Sequence, residues 1–303
     1  MNMNKLLLTG AEGQLGRTFR AHYLNSGLSK KYRLLTADTR EMDLTKEESI
    51  LDFLESQIPD LIVNCGAYTS VDSAESELET ATKINDYAVY CIARWASENS
   101  CRVIHISTDF VFDGRKREPY SPSDETNPLG AYGKSKLAGE SHLLELLPKR
   151  GVVLRTSWLY SVYGYNFVKT MIELMKRKSE LGVVNDQIGS PTSTHSLVLV
   201  LFSLIEHRTI NGVFHWCDGA AISWYDFAIE IQRQAYKHGL LAREIPINPL
   251  TTKDYPTAAV RPRYSVLQRG ITLEKSGLHV TNWQAELTTV VLQIKALNGA
   301  SDE

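Results

Sequence analysis

Cysteine is scarce in this chain: four occur among 303 residues, without Cys-x-x-Cys or any other metal-like spacing. So few thiols exclude a dense disulfide framework. Cysteines scattered singly along a chain usually serve as small core residues in proteins of a reducing compartment. The eight histidines form neither a His-Glu-x-x-His motif nor a cluster with cysteine. The sequence therefore predicts no catalytic metal.

Long hydrophobic runs and an excess of charge of one sign are also absent. No apolar stretch has the length that a bilayer requires, and the N-terminus lacks the features of a signal peptide. The chain has 35 acidic and 33 basic residues, so its formal net charge is -2. No strong electrostatic field therefore attracts nucleic acid or a membrane surface. With 43% hydrophobic residues, the chain can bury a large core. We expect a cytoplasmic protein without a nucleic-acid or membrane partner.

Short apolar runs alternate with longer amphipathic stretches in the first half of the chain. The runs lie at 6–8, 33–37, 61–64, 103–107 and 152–155. Buried strands that alternate with helices form right-handed βαβ units. The order therefore predicts an α/β fold with a Rossmann-type, doubly wound parallel sheet.

A glycine-rich turn follows the first predicted strand, at residues 9–16 (TGAEGQLG). Glycines there let the backbone approach a pyrophosphate, which the following helix N-terminus can hold, although three glycines also suit a simple tight turn. Asp38, after the second strand, either is an ordinary turn residue or binds a ribose 2′-hydroxyl and repels a 2′-phosphate, which favours NADH. Arg40 can instead clamp a 2′-phosphate. NADH and NADPH therefore both remain open.

The regular alternation loosens from about residue 158, where a smaller lobe begins. The later pattern predicts a helix at 167–178, a strand at 181–184 and a helix at 195–206. We expect a dinucleotide-binding domain at 1–157, to which 181–210 return. A smaller C-terminal substrate-binding lobe then comprises 158–180 and 211–303.

Tyr132 and Lys136 are four residues apart, so on a helix both project from one face while Lys134 points elsewhere. A nearby ammonium favours phenolate, and we therefore expect Lys136 to bring Tyr132 towards a useful acid at neutral pH. Tyr165 and Lys169 have the same spacing. We favour Tyr132 because it follows the loop after a central strand, where open parallel sheets bind ligands. Tyr165 instead marks a helix start in the smaller lobe.

Longer motifs accompany these residues. They are GAEGQLG at 10–16, NCGAYTSVD at 64–72, STDFVFDG at 107–114, YGKSKLAGE at 132–140, RTSWLY at 155–160, DQIGSPT at 186–192 and VRP at 260–262. In this order they resemble the extended short-chain dehydrogenase/reductase family, and within it the group of dTDP-4-dehydrorhamnose reductases. The resemblance implies reduction by NADH or NADPH of the 4-keto group of a nucleotide-linked deoxysugar. Within that group the reaction converts dTDP-4-dehydro-L-rhamnose to dTDP-L-rhamnose.

The resemblance also implies roles for individual residues. Thr108 would bind the substrate carbonyl, Tyr132 would donate the proton, and Lys136 would hold the nicotinamide ribose. The sugar would be bordered by Val71, Asp109, Phe110 and Trp158. The cofactor would be lined by Gly10, Gly13, Gln14, Leu15, Gly16, Asp38, Asp43, Leu44, Ala67, Tyr68 and Thr69.

Two departures from the family pattern make the sugar less certain than the reaction. Phe110 stands where tyrosine is usual, which removes a hydroxyl near the sugar. Val260 replaces an alanine, and Arg263-Tyr264-Ser265 follow where Asn-Ser is usual. The oligomeric state also stays open, a homodimer being one alternative.

Three related activities are alternatives to reduction. Dehydratases carry Asp-Glu where this chain has Asp109-Phe110, which argues against water elimination. Epimerases share the Tyr/Lys pair and remain open. The non-catalytic β-subunit of methionine adenosyltransferase has Ser-Asn in place of Thr108-Asp109 and an apolar residue in place of Trp158, so both sites favour an active enzyme. His105, within an apolar strand, is interpreted as structural rather than catalytic.

Overall fold

The apolar runs of the first half form one sheet in the computed structural model, which describes residues 3–280 and 282–299. The strands are β1 (Asn4–Thr9), β2 (Tyr32–Ala37), β3 (Leu61–Asn64), β4 (Arg102–Thr108), β5 (Gly151–Thr156), β6 (Leu159–Tyr160), β7 (Leu181–Val184), β8 (Ile188–Gly189), β9 (Thr192–Ser193), β10 (Gly212–Trp216), β11 (Ile222–Ser223) and β12 (Ile247–Leu250). Six of them form a parallel sheet in the order β10-β5-β4-β3-β1-β2.

Helices cover both faces of this sheet. In chain order the helices are α1 (Gln14–Tyr23), α2 (Glu47–Gln57), α3 (Leu78–Thr82), α4 (Ala88–Glu98), α5 (Ala131–Leu146), α6 (Phe167–Arg177), α7 (Thr194–Glu206), α8 (Trp224–Lys237), α9 (Gly270–Ser276) and α10 (Trp283–Gly299). One core contains residues of α1 and α7, and the core on the opposite face contains residues of α2, α4 and α5. Central strands buried on both faces read as continuous apolar runs. The predicted doubly wound α/β fold is confirmed.

A third core lies in the smaller lobe, among residues of α6, α8, α10, β7 and β12. Three two-stranded sheets accompany it: β7 with β12, β8 with β11, and β6 with β9. Among the described residues, no helix is both long and apolar enough to cross a bilayer.

The strands β7 and β10 do not lie in the domains predicted for them. The strand β10 pairs with β5 at the edge of the main sheet, so 212–216 are not part of the smaller lobe. The strand β7, expected to return to the first domain with 181–210, instead pairs with β12 of the smaller lobe. Only the helix of that segment returns, since α7 joins α1 in the first core. A short apolar run indicates a strand but not its partner, and the remaining boundaries stay predictions.

Two glycines let α5 lie directly against its neighbours. A Cβ atom at Gly133 would be 2.2 Å from the carbonyl oxygen of Phe110, and one at Gly139 would be 2.2 Å from that of Asn85. Glycine therefore permits the close approach of α5 to the loop after β4. This packing places Tyr132 and Lys136 at the carboxyl end of the main sheet.

Replacing Gly133 by alanine tests this packing. We expect Gly133→Ala to lower the free energy of unfolding by about 1–3 kcal/mol, the usual cost of an overpacked site. The matched control is Gly270→Ala in α9, where no atom lies within 4 Å of the added Cβ. Urea unfolding of the three proteins measures the difference. A Gly133→Ala protein as stable as the parent would show that α5 shifts freely.

Candidate active site

The glycine turn joins β1 to the start of α1. Gly10 has a φ of +62°, and a Cβ atom on Gly16 would lie 2.3 Å from the Gly10 carbonyl oxygen. Gly13 caps α1, whose first turn has no side-chain cap and no acidic residue. The N–H groups of that turn therefore lack helical partners and lie where the helix dipole favours an anion. This arrangement suits the pyrophosphate of a dinucleotide.

Two predicted cofactor residues in this turn have side chains that are engaged within the protein. The Leu15 side chain is buried in the core beneath the sheet, so only its backbone can face a ligand. The Gln14 side-chain oxygen accepts hydrogen bonds from Asn166 Nδ2 at 3.0 Å and from Ser161 Oγ at 3.2 Å. Gln14 thereby ties the glycine turn to the segment that precedes α6.

Asp38 and Arg40 form an ion pair after β2, with 2.6 Å between Asp38 Oδ2 and Arg40 Nη2. Hydrogen bonds from the side chain and backbone of Arg40 lower the pKa of Asp38. Asp43 is held similarly, because hydrogen bonds from Thr45 lower its pKa to about 2. Asp38 and Arg40, the two alternatives for recognition of the cofactor ribose, therefore contact each other.

The loop after β3 passes beside the glycine turn and is tied to α5. Leu44 packs against Gly66, where an added Cβ would meet its side chain at 2.5 Å. The backbone N–H of Tyr68 donates to Asn85 Oδ1, and Asn85 Nδ2 donates to the Ser135 hydroxyl at 3.1 Å. Ala67, half-buried, and Thr69, exposed, flank Tyr68 in this loop.

Tyr132 lies beside Thr108, which ends β4, and Asp109, which follows the strand. A hydrogen bond with Thr108 lowers the pKa of Tyr132, but burial has the larger effect and raises it to about 12. The Thr108 hydroxyl is 3.2 Å from Asp109 Oδ1, and the Phe110 ring lies edge-on to Tyr132 at 5.8 Å. The expectation that Lys136 makes Tyr132 more acidic is therefore wrong for this structure. The charge of Asp109 raises this pKa further, and Lys136 is not among the groups that shift it.

Lys136 is buried one turn further along α5, with 2% of its surface exposed. Its Nζ donates to the Ile106 carbonyl oxygen at 2.6 Å and lies 3.1 Å from His105 Nε2. Burial lowers the pKa of Lys136 to about 8, against the influence of Glu140. No local pattern indicated that His105 contacts Lys136, because the contact joins a strand to a helix 31 positions later.

Tyr165 and Lys169, the second tyrosine–lysine pair with this spacing, lie at the start of a helix in the smaller lobe, as predicted. Asn166 caps α6 and Phe167 begins it, so Tyr165 precedes the helix and is 84% exposed. Lys169 donates to the Val162 carbonyl oxygen rather than to a phenol. Lys134, between the two chosen residues, is exposed as expected.

Trp158 and Phe110 share a small cavity on the side of the smaller lobe. Trp158 has a φ of +45°, and its ring stacks on Trp224 with centroids 3.6 Å apart. Arg261 and Ser265 also line this cavity. Trp224 and Ser265 were not predicted, because no local pattern marks a residue that reaches a site from a distant segment.

Two carboxylates contact residues that line this cavity, Asp109 through Ser265 and Asp72 through Arg261. Asp109 is buried, burial raises its pKa to about 6, and its Oδ2 atom has no hydrogen-bond partner among the described residues. Asp72, next to half-buried Val71 in the loop after β3, lies 2.6 Å from Arg261 Nη2. The Asp72–Arg261 ion pair therefore connects the loop expected to line the cofactor with the loop that lines the cavity. An orphaned carboxylate oxygen beside Thr108 suits a hydroxyl-bearing ligand.

A doubly wound sheet with a glycine turn, and a tyrosine and a lysine on one helix at its carboxyl end, define an NAD(P)H-dependent oxidoreductase of the extended short-chain class. Comparison with known proteins identifies the family. The family model described as RmlD substrate binding domain matches residues 3–296. The chain belongs to this family of NAD(P)H-dependent reductases.

Individual relatives match over nearly the whole chain. The chain is 40% identical to a dTDP-4-dehydrorhamnose reductase of Aggregatibacter actinomycetemcomitans, over 95% of this chain and 98% of the relative. It is 35% identical to a dTDP-4-keto-6-deoxy-D-glucose reductase of Streptomyces niveus, over 94% and 96% of the two chains. The dTDP-4-dehydrorhamnose reductase of Bacillus anthracis, solved in complex with NADP, is 33% identical, with a TM-score of 0.87 and coverage of 96% and 100%.

Proposed function

We propose that this protein reduces the 4-keto group of a dTDP-linked 6-deoxysugar, with dTDP-4-dehydro-L-rhamnose as substrate and dTDP-L-rhamnose as product. The observation that carries the proposal is the group of Thr108, Tyr132 and Lys136 at the carboxyl end of β4 and the start of α5, in which Thr108 and Lys136 are buried and Tyr132 is half-buried. The Aggregatibacter relative supports the rhamnose substrate, and the Streptomyces relative supports the wider class of dTDP-linked 4-keto sugars.

The glycine turn, the loop after β3 and Lys136 would hold the cofactor. When bound, a reduced nicotinamide dinucleotide supplies the hydride. The uncapped N–H groups of α1 would bind its pyrophosphate, and the Lys136 amino group would bind hydroxyls of the nicotinamide ribose.

Tyr132 would deliver the proton that completes the reduction. Because its pKa is about 12, its Oη–H stays protonated over the whole physiological range and can donate to the developing alkoxide oxygen. The Thr108 hydroxyl would donate a second hydrogen bond to the same oxygen, which stabilises charge that develops in the transition state. Phe110 and Trp158 would supply apolar surface to the sugar ring.

A panel of dTDP-, UDP-, GDP- and CDP-linked 4-keto sugars, assayed with NADH and NADPH, tests this function. We expect oxidation of the cofactor with dTDP-linked 4-keto-6-deoxysugars, and the largest kcat/KM with the rhamnose precursor. A larger kcat/KM with dTDP-4-keto-6-deoxy-D-glucose would support the proposed 4-keto reduction but identify that sugar as the substrate instead. Absence of turnover with the dTDP-linked 4-keto sugars and either cofactor would reject the proposal, whatever the other nucleotides give.

The choice between NADH and NADPH is tested by the Asp38–Arg40 pair. Asp38→Ala removes a ribose acceptor and a charge that repels a 2′-phosphate, and it also frees the Arg40 guanidinium. We expect the ratio of kcat/KM for NADPH to that for NADH to rise about tenfold, which corresponds to about 1.4 kcal/mol. Arg40→Ala is the matched variant and should move the ratio the other way. Unchanged ratios in both variants would place this pair away from the ribose.

Absence of a catalytic metal and a cytoplasmic location remain predictions, and a homodimer remains one alternative for the oligomeric state.

A further inference from the structure

A row of buried polar side chains crosses three neighbouring strands behind Lys136. The strand register aligns Thr9 with Asn64 and Asn64 with His105. Thr9 Oγ1 donates to Asn64 Oδ1 at 2.6 Å, and Asn64 Nδ2 lies 3.0 Å from His105 Nδ1. None of the three is more than 2% exposed. The row begins at the glycine turn and ends at the lysine, 3.1 Å from His105 Nε2.

This row restricts the histidine ring. Burial lowers the pKa of His105 well below 6.5, so the ring is neutral, with one nitrogen as donor and the other as acceptor. When Lys136 is an ammonium ion, Nε2 must accept from it and Nδ1 must donate to Asn64. As placed, the Asn64 amide nitrogen faces Nδ1. With an ammonium ion at Nε2 the amide turns over, so that its oxygen accepts from Nδ1–H and its nitrogen donates to Thr9 Oγ1, and the row fits either proton state of the lysine. A hydrogen bond to the charged form is the stronger one.

We propose that His105 is a positioning residue for Lys136, oriented by Asn64 and Thr9, which holds the protonated amino group where it binds the cofactor ribose. The inference rests on the proposed role of Lys136. Without the ring, Lys136 would keep the Ile106 carbonyl but lose its second polar contact. The other ionisable groups that face Lys136 are Glu140 on α5 and the Cys65 thiol after β3, and neither changes in the variants below.

His105→Gln and His105→Asn distinguish a contact with Lys136 from the mere presence of a polar side chain at position 105. Glutamine places its terminal amide near the site of Nε2 and can reach Lys136, whereas asparagine places it near Nδ1 and cannot. His215→Gln is the control. It replaces another buried histidine of the main sheet, whose Nε2 lies 3.4 Å from a buried cation, Arg155 Nη1.

Cofactor dissociation constants, measured by fluorescence titration from pH 6 to 9.5, test the inference without turnover. Binding by the ammonium form is lost as pH rises through the pKa of Lys136, which burial places at about 8. In His105→Asn the ammonium loses a hydrogen bond, so its pKa falls further. We expect about tenfold weaker binding at pH 7.5 and a midpoint about one unit lower. His105→Gln and His215→Gln should resemble the parent.

The inference is overturned if His105→Asn keeps the parent's affinity and midpoint, or if the Asn and Gln variants at 105 lose affinity equally. Thermal melting identifies a variant that fails to fold. In that case Asn64→Leu is used, which removes the hydrogen bond to the His105 ring but retains the ring. It should also weaken cofactor binding, and parent-like binding would overturn the inference. If Lys136→Met also binds cofactor like the parent, the proposed role of Lys136 fails first. If only Lys136→Met loses binding, the function stands and the inference alone fails.

Discussion

Tyr132→Phe should reduce turnover about 10²- to 10⁴-fold, the usual contribution of a positioned general acid. The phenol is the group beside Thr108 that can deliver a proton, and phenylalanine keeps the ring that packs edge-on against Phe110. Cofactor affinity should stay within about twofold of the parent, because the ribose contact is assigned to Lys136 rather than to the phenol. Single-turnover reduction and fluorescence titration measure the two quantities separately.

Tyr165→Phe is the matched control for this substitution. It removes the hydroxyl of the other tyrosine that precedes a lysine by four residues, at an 84% exposed position, and should leave the chemical step unchanged. Near-normal turnover in Tyr132→Phe would remove Tyr132 from the mechanism. An equal loss in both variants would show that neither hydroxyl acts as the specific proton donor.

Lys136→Met should weaken cofactor binding about 10- to 100-fold, because hydrogen bonds from a charged group are worth about 1.5–3 kcal/mol. Methionine keeps an unbranched stem of similar length but offers no donor to the ribose. Turnover at saturating cofactor should also fall, since the ribose would no longer be held in one orientation. The dissociation constants of NADPH and NADH, followed by single-turnover rates at saturation, separate these effects.

Lys134→Met provides the control, because Lys134 lies on the same helix but is exposed. It should bind both cofactors like the parent. If Lys136→Met also does so, Lys136 is a buried structural residue and the proposed ribose contact is wrong. The outcome does not depend on the acidity of Tyr132, which burial rather than Lys136 determines in this structure.

Local patterns predicted most of the main sheet. The run at 61–64 is a strand with those bounds, and the run at 152–155 lies within β5, because central parallel strands are apolar on both faces. The strand at 212–216 was missed. It contains a glycine, a histidine and a tryptophan, and its place beside β5 depends on pairing between distant segments.

The site was predictable only in part. The Tyr132/Lys136 spacing and the glycine turn are local signals, and the structure places both at the carboxyl end of the sheet. The Asp72–Arg261 pair joins residues 189 positions apart, and the His105–Lys136 contact depends on strand register and helix packing together. The pKa of Tyr132 was misjudged for a related reason, since the sequence shows the neighbouring charge but not the depth of burial.

Isotope transfer tests the central claim most directly. The protein is incubated with dTDP-4-dehydro-L-rhamnose and NADPH that carries deuterium at the transferable position of nicotinamide C4, and the sugar is analysed by NMR. We expect one deuterium at sugar C4 for each NADPH oxidised, and a rate at least about 10²-fold lower with Tyr132→Phe. An isomerised sugar without net oxidation of NADPH would instead show an epimerase. Tight NADPH binding with no deuterium in the sugar would contradict the proposed reduction.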